Sequence, residues 1–231
     1  MNGGNIFNFR ELGGIPVHDG RKVRYGLFFR GGPLHEPNEK TREMLDSLGL
    51  KHVVDMRSPS EVERGGDLYL PKGADYINIS GLRDVDLDMI KGNNRNRWGV
   101  WMESLYQLLP LGNRAYQLLF DLIRKDEIPL YFHCSAGKDR TGVFAALLLK
   151  LLGADDETII EEYMLSYDNM MRAIVFHPPV VNALVDPKWI REMFEEILKK
   201  YPDYDTYFLK EYGIDEERKN RIRNRCLIRE G

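Results

Sequence analysis

Residues 129–152 read PLYFHCSAGKDRTGVFAALLLKLL and divide into three segments of different character. Residues 129–133 form a short apolar run of the kind that builds a buried strand. Residues 141–152 are so uniformly apolar that they predict a buried helix, which Gly153 ends. Between them lies the polar segment 134–140. Because α/β proteins bind ligands where the carboxyl end of a parallel strand leads into a helix, this segment is the candidate functional site.

The rest of the chain alternates strand-like and helix-like segments before it becomes helical. Strands are predicted at 15–23 (a hairpin around Asp19-Gly20), 27–30, 51–56 and 74–79, and helices at 38–48 and 112–125. Helices alone follow, at about 155–166, 187–200 and from Asp215 onward. This order predicts an α/β fold whose mostly parallel central sheet is flanked by helices. We expect a single domain over residues 1–231, with about 187–231 packed on it as a helical extension. The polar stretch 81–97 predicts a long loop.

Charge and composition exclude several classes of function. The chain has 33 basic and 36 acidic residues, a balance that gives no general attraction to nucleic acid or to anionic membranes. No apolar run approaches the roughly 20 residues that a membrane span needs, and no signal peptide is evident. With only Cys134 and Cys226 a disulfide framework is not expected, which fits a reducing compartment. We therefore expect a cytoplasmic protein. No cluster of side chains has metal-ligand spacing, so neither a metal nor a cofactor is expected.

Segment 134–140 carries the residue types that attack a phosphate ester. Inward-pointing N–H groups and the dipole of the following helix would create positive potential around Cys134. That potential favours the thiolate, which is the nucleophilic form of cysteine. Arg140 can hold two phosphate oxygens at once and stabilise the transition state. Together they predict a phosphate monoester hydrolase that forms a phosphocysteine intermediate on Cys134.

The other residues of this segment have supporting roles in such a mechanism. Ser135 and Ala136 belong to the loop whose N–H groups would bind the phosphate, and Gly137 permits its tight turn. Lys138 adds a second cation at the rim. The hydroxyl of Thr141 can hydrogen-bond the thiolate and ease its departure from the phosphoenzyme.

Cys134 also has a purely structural interpretation. A cysteine that ends an apolar strand is more often a small buried hydrophobic residue than a nucleophile. However, a lysine, an aspartate and an arginine in one loop between a core strand and a core helix are costly without an anionic ligand or partners. We therefore favour the catalytic interpretation.

The segment and its surroundings resemble a known family. The string His133-Cys134-Ser135-Ala136-Gly137-Lys138-Asp139-Arg140-Thr141-Gly142 resembles the signature of the protein tyrosine phosphatase superfamily, in particular its bacterial tyrosine/serine branch, often described as having triple specificity. Residues 8–14, 27–32, 53–58 and 209–214 are also similar to this family. The resemblance implies action on phosphotyrosine, phosphoserine or phosphothreonine and on phosphoinositides. Gly31 and Gly32 stand where the family often has serines.

The resemblance leaves the general acid open. Many members of the superfamily have an acidic aspartate upstream of the cysteine, but the only acidic residue between positions 89 and 120 is Glu103. The remaining candidates are Asp139, inside the loop, and Asp55, at the carboxyl end of a predicted strand. Asp55 could contact substrate there, or it could cap the next helix. We favour Asp139 as the acid.

Three functions remain possible on the sequence. The first is a protein-tyrosine phosphatase of broad specificity that acts on phosphorylated proteins. The second is a phosphoinositide phosphatase, since Lys138 beside an acidic residue is reminiscent of lipid phosphatases. The third is a binding module for phosphorylated residues with an inactive site, against which the intact Cys134, Arg140 and Thr141 argue. For Arg10, Arg30 and Arg57, we predict structural ion pairs.

Overall fold

The computed structural model describes residues 6–82, 98–176 and 185–229, which build an α/β fold around a five-stranded sheet. Its strands are β1 (Arg10–Glu11), β3 (Phe28–Gly31), β4 (His52–Asp55), β5 (Asp75–Asn78) and β6 (Leu130–His133). They lie in the order β1-β3-β6-β4-β5. Strands β3, β6, β4 and β5 run parallel, and β1 is antiparallel to β3. The predicted fold class, a mostly parallel sheet flanked by helices, is confirmed.

A second, two-stranded sheet pairs a segment from the N-terminal part of the chain with a segment near its C-terminus. Strand β2 (Lys22–Val23) pairs with β7 (Leu227–Ile228) in antiparallel register. The predicted turn around Asp19-Gly20 is present, with the Val17 N–H donating to Arg21 O at 2.9 Å. The expected hairpin over 15–23 is confirmed: the Val23 N–H donates to Ile15 O at 2.8 Å, and Pro16 and Lys22 form an antiparallel bridge. The other edge of β2 pairs with β7.

Helices cover both faces of the central sheet. They are α1 (Glu39–Ser47), α2 (Pro59–Gly65), α3 (Trp98–Leu108), α4 (Arg114–Arg124), α5 (Asp139–Leu152), α6 (Asp156–Phe176), α7 (Pro187–Lys200), α8 (Tyr204–Tyr212) and α9 (Glu216–Cys226). The helices predicted at the positions of α1, α4, α5, α7 and α9 are confirmed. Helix α6 runs ten residues beyond its predicted end, and α3 and α8 were not predicted. Most of the predicted loop over 81–97 lies outside the described residues. Among the residues described, no helix is long and apolar enough to cross a membrane.

Neighbouring residues of the strands point to opposite faces and so belong to two hydrophobic cores. The larger core contains Phe28, Val54 and Phe132. The smaller contains Phe29, Val53 and Tyr131. Helix α5 packs its apolar residues into the larger core, and Leu45 of α1 belongs to the smaller.

The C-terminal helices pack into the larger core. Ile190 of α7, Phe208 of α8 and Ile222 of α9 belong to the same buried cluster as Phe132 of the central strand. Asp215 caps α9 by accepting a hydrogen bond from the Arg218 N–H at 2.8 Å. The sequence from 187 onward therefore helps to bury the helix that follows the candidate loop.

The sheet brings three strand ends into one row. Gly31 of β3 and Asp55 of β4 both lie beside His133, the last residue of β6. Because these strands are parallel, their carboxyl ends meet at one edge of the sheet. Cys134 comes directly after β6 and therefore begins its loop at that edge.

Position 31, at the end of β3, has no room for a side chain. A Cβ atom at this fully packed position would lie 2.5 Å from the Tyr131 hydroxyl oxygen and 3.1 Å from the Phe9 Cα atom. We expect Gly31→Ser to lower the free energy of unfolding by about 1–3 kcal/mol through overpacking, as measured by urea denaturation. Gly32→Ser is the milder comparison, because the nearest non-neighbouring atom to its Cβ would be the Phe7 backbone oxygen at 3.2 Å, a contact that needs only a small shift. Equal losses in the two variants would contradict this steric explanation.

Candidate active site

Residues 134–138 form the loop between β6 and α5. Cys134 is only 2% exposed, so its thiol lies at the bottom of the loop. Helix α5 begins at Asp139, and its N-cap residue, Lys138, makes no side-chain capping hydrogen bond. The first N–H groups of α5 therefore have no side-chain cap and, with the helix dipole, favour an anion at this end.

Hydrogen bonds to the loop carbonyls fix the orientation of its peptide groups. Asn8 Nδ2 donates to Ala136 O at 3.2 Å and to Gly137 O at 2.9 Å. Arg30 Nη2 also donates to Gly137 O, at 2.9 Å. In a trans peptide the N–H points away from the C=O, so the N–H groups of Gly137 and Lys138 point away from these donors. This is the orientation that an anion-binding loop requires.

The turn at Gly137 can be made only by glycine. Its φ of +62° is in the left-handed region, and a Cβ atom would lie 2.2 Å from the carbonyl carbon of Gly31. The loop thus lies directly on the end of β3.

A buried ionic cluster stands behind the loop. Glu162 of α6 accepts from Arg10 Nε and from Arg30 Nη1, both at 2.6 Å, and the three side chains are at most 10% exposed. Burial raises the pKa of Glu162, but the charges of Arg10 and Arg30 lower it further, so the net shift is downward. The carboxylate stays ionised and holds Arg30 against the loop. The ion-pair prediction for Arg10 and Arg30 is confirmed.

Arg140 folds back toward the loop and is held there by Glu61 of α2. Nη1 donates to Glu61 Oε2 at 2.8 Å and Nη2 to Oε1 at 2.7 Å, and Nη1 also donates to Met56 O at 3.0 Å. Nη2 reaches Ser135 Oγ at 3.2 Å. Burial lowers the pKa of Arg140, but the charges of Cys134 and Glu61 raise it more, so the guanidinium remains charged.

Glu61 has this position because of the local sequence. Ser58 is the N-cap of α2, and the Glu61 carboxylate accepts from its N–H at 2.8 Å, which completes a capping box. Burial raises the pKa of Glu61, but hydrogen bonds from Arg140 lower it well below its ordinary value. One carboxylate thus starts a helix and orients the arginine.

His133 and Thr141 flank the thiol. His133 is fully buried, which lowers its pKa to about 4, so the ring is neutral at pH 7. Its Nδ1 lies 3.2 Å from Cys134 O, so it donates a hydrogen bond to the loop backbone if Nδ1 carries the proton. Thr141 Oγ1 is buried and forms no hydrogen bond with any described residue.

Asp139 lies at the start of α5 and is partly exposed. Its Oδ1 accepts from the Tyr106 hydroxyl at 2.8 Å, and Tyr106 is itself 2.6 Å from the Tyr163 hydroxyl. Burial and the charge of Asp139 raise the pKa of Tyr106 well above its ordinary value, so this phenol remains a donor. Lys138 was expected at the rim but is 3% exposed, because its Nζ lies over the Trp189 ring and 3.5 Å from Asp139 Oδ1.

Asp55 is separated from the loop's exposed side. It is fully buried, and its carboxylate accepts from Arg57 and from the Tyr76 hydroxyl at 2.8 Å. Burial raises the pKa of Asp55, but the Arg57 hydrogen bonds lower it further, so it stays ionised. The ion-pair prediction for Arg57 is confirmed. The helix cap considered for Asp55 is supplied by Ser58.

A cleft of about 600 Å³ opens beside the loop. It is lined by Phe7, Pro33, His35, Arg57, Glu61, Arg64, Gly65, Ser135 and Ala136. In the residues that the structure describes, no three His, Cys, Asp or Glu side chains are grouped as a metal site would require.

Several residues of the site were missed on the sequence. The capping box Ser58-x-x-Glu61 was a visible signal, but nothing local shows that Glu61 also reaches Arg140. Asn8, Glu162 and Tyr106 act across long sequence distances. Their contacts arise only when the chain is folded.

The sequence is similar to known phosphatases over most of its length. A sequence model of the tyrosine phosphatase family matches residues 2–228. A Cupriavidus necator protein named as a tyrosine-protein phosphatase is 33% identical over 163 residues, which are 69% of this chain and 60% of that protein. The triple specificity protein phosphatase PtpB of Mycobacterium tuberculosis is 28% identical over 191 residues, which are 71% of this chain and 68% of that protein. The chain thus spans about three fifths to two thirds of the length of these relatives.

Solved structures of low similarity also align with the chain. The core catalytic domain of the PP-IP phosphatase SIW14 from S. cerevisiae, in complex with citrate, has 17% identity and a TM-score of 0.39. The alignment covers 84% of this chain and 91% of that one. Similarity of this degree says nothing about the substrate of this chain.

The buried cluster behind the loop can be tested through Glu162. Glu162→Gln would leave Arg10 and Arg30 buried without a counter-charge, which typically costs about 3–5 kcal/mol of folding free energy. We expect a loss of that size in urea denaturation. Glu161→Gln changes the exposed neighbour in the same helix and should have almost no effect. A loss below 1 kcal/mol for Glu162→Gln, on the order of a surface ion pair, would show that the cluster does not hold the loop.

Proposed function

Because the chain belongs to the tyrosine phosphatase family, we propose that it hydrolyses phosphate monoesters through a phosphocysteine intermediate on Cys134. The observation that carries this proposal is the return of Arg140 to the loop that begins at Cys134, where its guanidinium contacts Ser135 and is held by Glu61. A nucleophile, a fixed cation and oriented N–H groups then surround one phosphate-sized site.

Substrate phosphate would bind to the loop N–H groups of residues 135–140 and to Arg140. The Nη2 hydrogen that now points to Ser135 Oγ is available to a phosphate oxygen. None of the hydrogen bonds between described residues uses Arg140 Nε, so this group can donate to a second oxygen. Glu61 occupies the opposite edge of the guanidinium and keeps it in this orientation.

The reaction proceeds in two displacements at phosphorus. In the first, the Cys134 thiolate forms the S–P bond while the P–O ester bond breaks, and the leaving oxygen takes a proton from Asp139. In the second, Asp139 accepts a proton from water as the water oxygen bonds to phosphorus and the S–P bond breaks. The Thr141 hydroxyl, buried near the start of α5 and without a described partner, can donate to the departing thiolate.

Asp139 is the better candidate for the acid. It is partly exposed at the loop, and the Tyr106 hydroxyl fixes its Oδ1, which leaves Oδ2 for the leaving group. Asp55 is fully buried, and Arg57 and Tyr76 already occupy its carboxylate. Asp55 therefore supports the end of β4 and is not proposed to contact substrate.

Phosphotyrosine in proteins is the proposed main substrate, with activity on phosphoserine, phosphothreonine and phosphoinositides beside it. The name of the Mycobacterium tuberculosis relative, a triple specificity phosphatase, supports this breadth. A reducing compartment protects a thiolate nucleophile from oxidation, so the proposed location is the cytoplasm. Lys138 contributes its N–H, and its charge is directed to Asp139 and Trp189.

The nucleophile can be tested with Cys134→Ser. This variant should fold normally, lose kcat/KM for nitrophenyl phosphate by several orders of magnitude, and still bind vanadate or a phosphotyrosine peptide, because the loop N–H groups remain. The assay is run with a chelator, which should leave the wild type unaffected. Retention of more than about a tenth of the wild-type kcat/KM would contradict the mechanism. A wild type that binds phosphopeptide but hydrolyses nothing would instead be a binding module.

The general acid can be tested by its dependence on the leaving group. A positioned acid contributes about 10² to 10⁴ in rate, but only where the leaving oxygen needs a proton. Asp139→Asn should therefore slow hydrolysis of phosphotyrosine and alkyl phosphates strongly and that of nitrophenyl phosphate much less. Asp55→Asn is the matched control and should lower stability without this dependence. The assignment is reversed if the dependence appears in Asp55→Asn alone.

A further inference from the structure

The cleft beside the loop contains cationic groups that the proposed chemistry does not use. From the cleft lining and the position of Arg64 we infer that it is a second anion subsite, which binds an acidic side chain next to the phosphotyrosine of a peptide substrate. This inference rests on the proposed function. It adds a preference for substrate sequence.

Among the charged residues that line the cleft, Arg64 is the one whose charge is not already paired within the described part of the chain. The Glu61 carboxylate is paired with Arg140, and the Arg57 guanidinium is paired through Nε and Nη2 with Asp55. Arg64, in the last turn of α2, is exposed, and no hydrogen bond or ion pair found among the described residues involves it. The cleft therefore presents net positive charge to an incoming group.

Arg57 adds a preformed donor to the floor of the cleft. This side chain is 2% exposed, and its contacts with Asp55 leave Nη1 without a partner in the described part of the chain. Gly65 lies against this nitrogen, since a Cβ there would be 2.3 Å from Nη1. The same Cβ would be 3.4 Å from His35 Nε2. Because residue 65 is glycine, no side chain separates Arg57 Nη1 or His35 Nε2 from the cleft.

The spacing between the two anion sites fits neighbouring residues of a peptide. Arg64 is three residues after Glu61 on α2, and side chains at that separation are about 5–6 Å apart. Glu61 in turn contacts Arg140, which would bind the phosphate. Residues of an extended peptide advance about 3.3–3.6 Å each, so a side chain one or two positions from the phosphotyrosine can reach Arg64.

The walls of the cleft favour a peptide over an inositol phosphate. Phe7 and Pro33 line it, and apolar walls of this kind suit the methylene groups of a glutamate side chain and the ring of a tyrosine. A head group with several phosphates would need more cations than Arg64 and Arg57 supply. The cleft is continuous with the loop at Ser135 and Ala136, so one substrate can occupy both sites.

The test compares phosphotyrosine peptides that differ by one charge. Each peptide has glutamate or glutamine at one position, from two residues before the phosphotyrosine to two after it. In the wild type we expect one position at which kcat/KM is about five- to tenfold higher with glutamate, the size of a charge-assisted hydrogen bond at a partly exposed site. Arg64→Gln should bring this ratio to about one, and Arg64→Glu should reverse it. Arg221→Gln, which removes an exposed arginine of α9, should leave the ratio unchanged.

Different results overturn different claims. If the wild type hydrolyses every peptide at the same rate, or if the ratio persists in Arg64→Gln, the subsite does not exist although the phosphatase activity stands. If the wild type hydrolyses none of the peptides and no aryl phosphate, the proposed function itself fails. If Arg64→Gln lowers kcat/KM for a bisphosphorylated inositol head group and leaves the peptide ratio unchanged, the cleft binds a second phosphate, and the inference of an acidic side chain is wrong.

Discussion

The hydrogen bond from Arg30 to the carbonyl oxygen of Gly137 is the contact on which the site depends. This hydrogen bond fixes the orientation of the peptide group between Gly137 and Lys138, so that the Lys138 N–H points away from Arg30. Asn8 donates a second hydrogen bond to the same carbonyl oxygen. A fully buried guanidinium is costly without a counter-charge, and Glu162 supplies that charge from α6. The loop geometry is therefore fixed by side chains from β3 and α6, which flank it in the fold and lie far from it in sequence.

Carboxylates hold the cations of this region from the side away from the proposed phosphate position. Glu162 pairs with Arg10 and Arg30, and Glu61 pairs with Arg140. Each of these ion pairs restricts the orientation of the arginine side chain. A chain with a net charge of −3 can in this way build a locally positive site. A near balance of total charge is therefore compatible with a local positive field, because the two depend on different groups of residues.

The sequence was sufficient for the fold class and for the position of the loop, because both follow from local pattern. The apolar strand before Cys134 and the uniformly apolar helix after Thr141 are strong local signals, and the strands and helices around them alternate clearly. Helices α3 and α8 were missed because they are short and much of their buried face is aromatic (Tyr106, Tyr207, Phe208 and Tyr212), and aromatic residues have modest helix propensity. The hairpin expected at 15–23 is present, but the pairing of its second strand with β7 joins residues about 200 positions apart, which local propensity cannot show.

The same distinction applies to the residues of the site. Cys134, Gly137 and Arg140 lie within seven residues of one another, so their spacing alone was enough to predict that they act together. Glu61 was not, because its capping role is local whereas its contact with Arg140 depends on how α2 packs beside the loop. For Asp55 the position at the edge of the sheet could be inferred from the sequence, whereas its burial and its ion pair with Arg57 could not. A position at the carboxyl end of a strand thus makes contact with substrate possible, while exposure and the partners already bound decide whether it occurs.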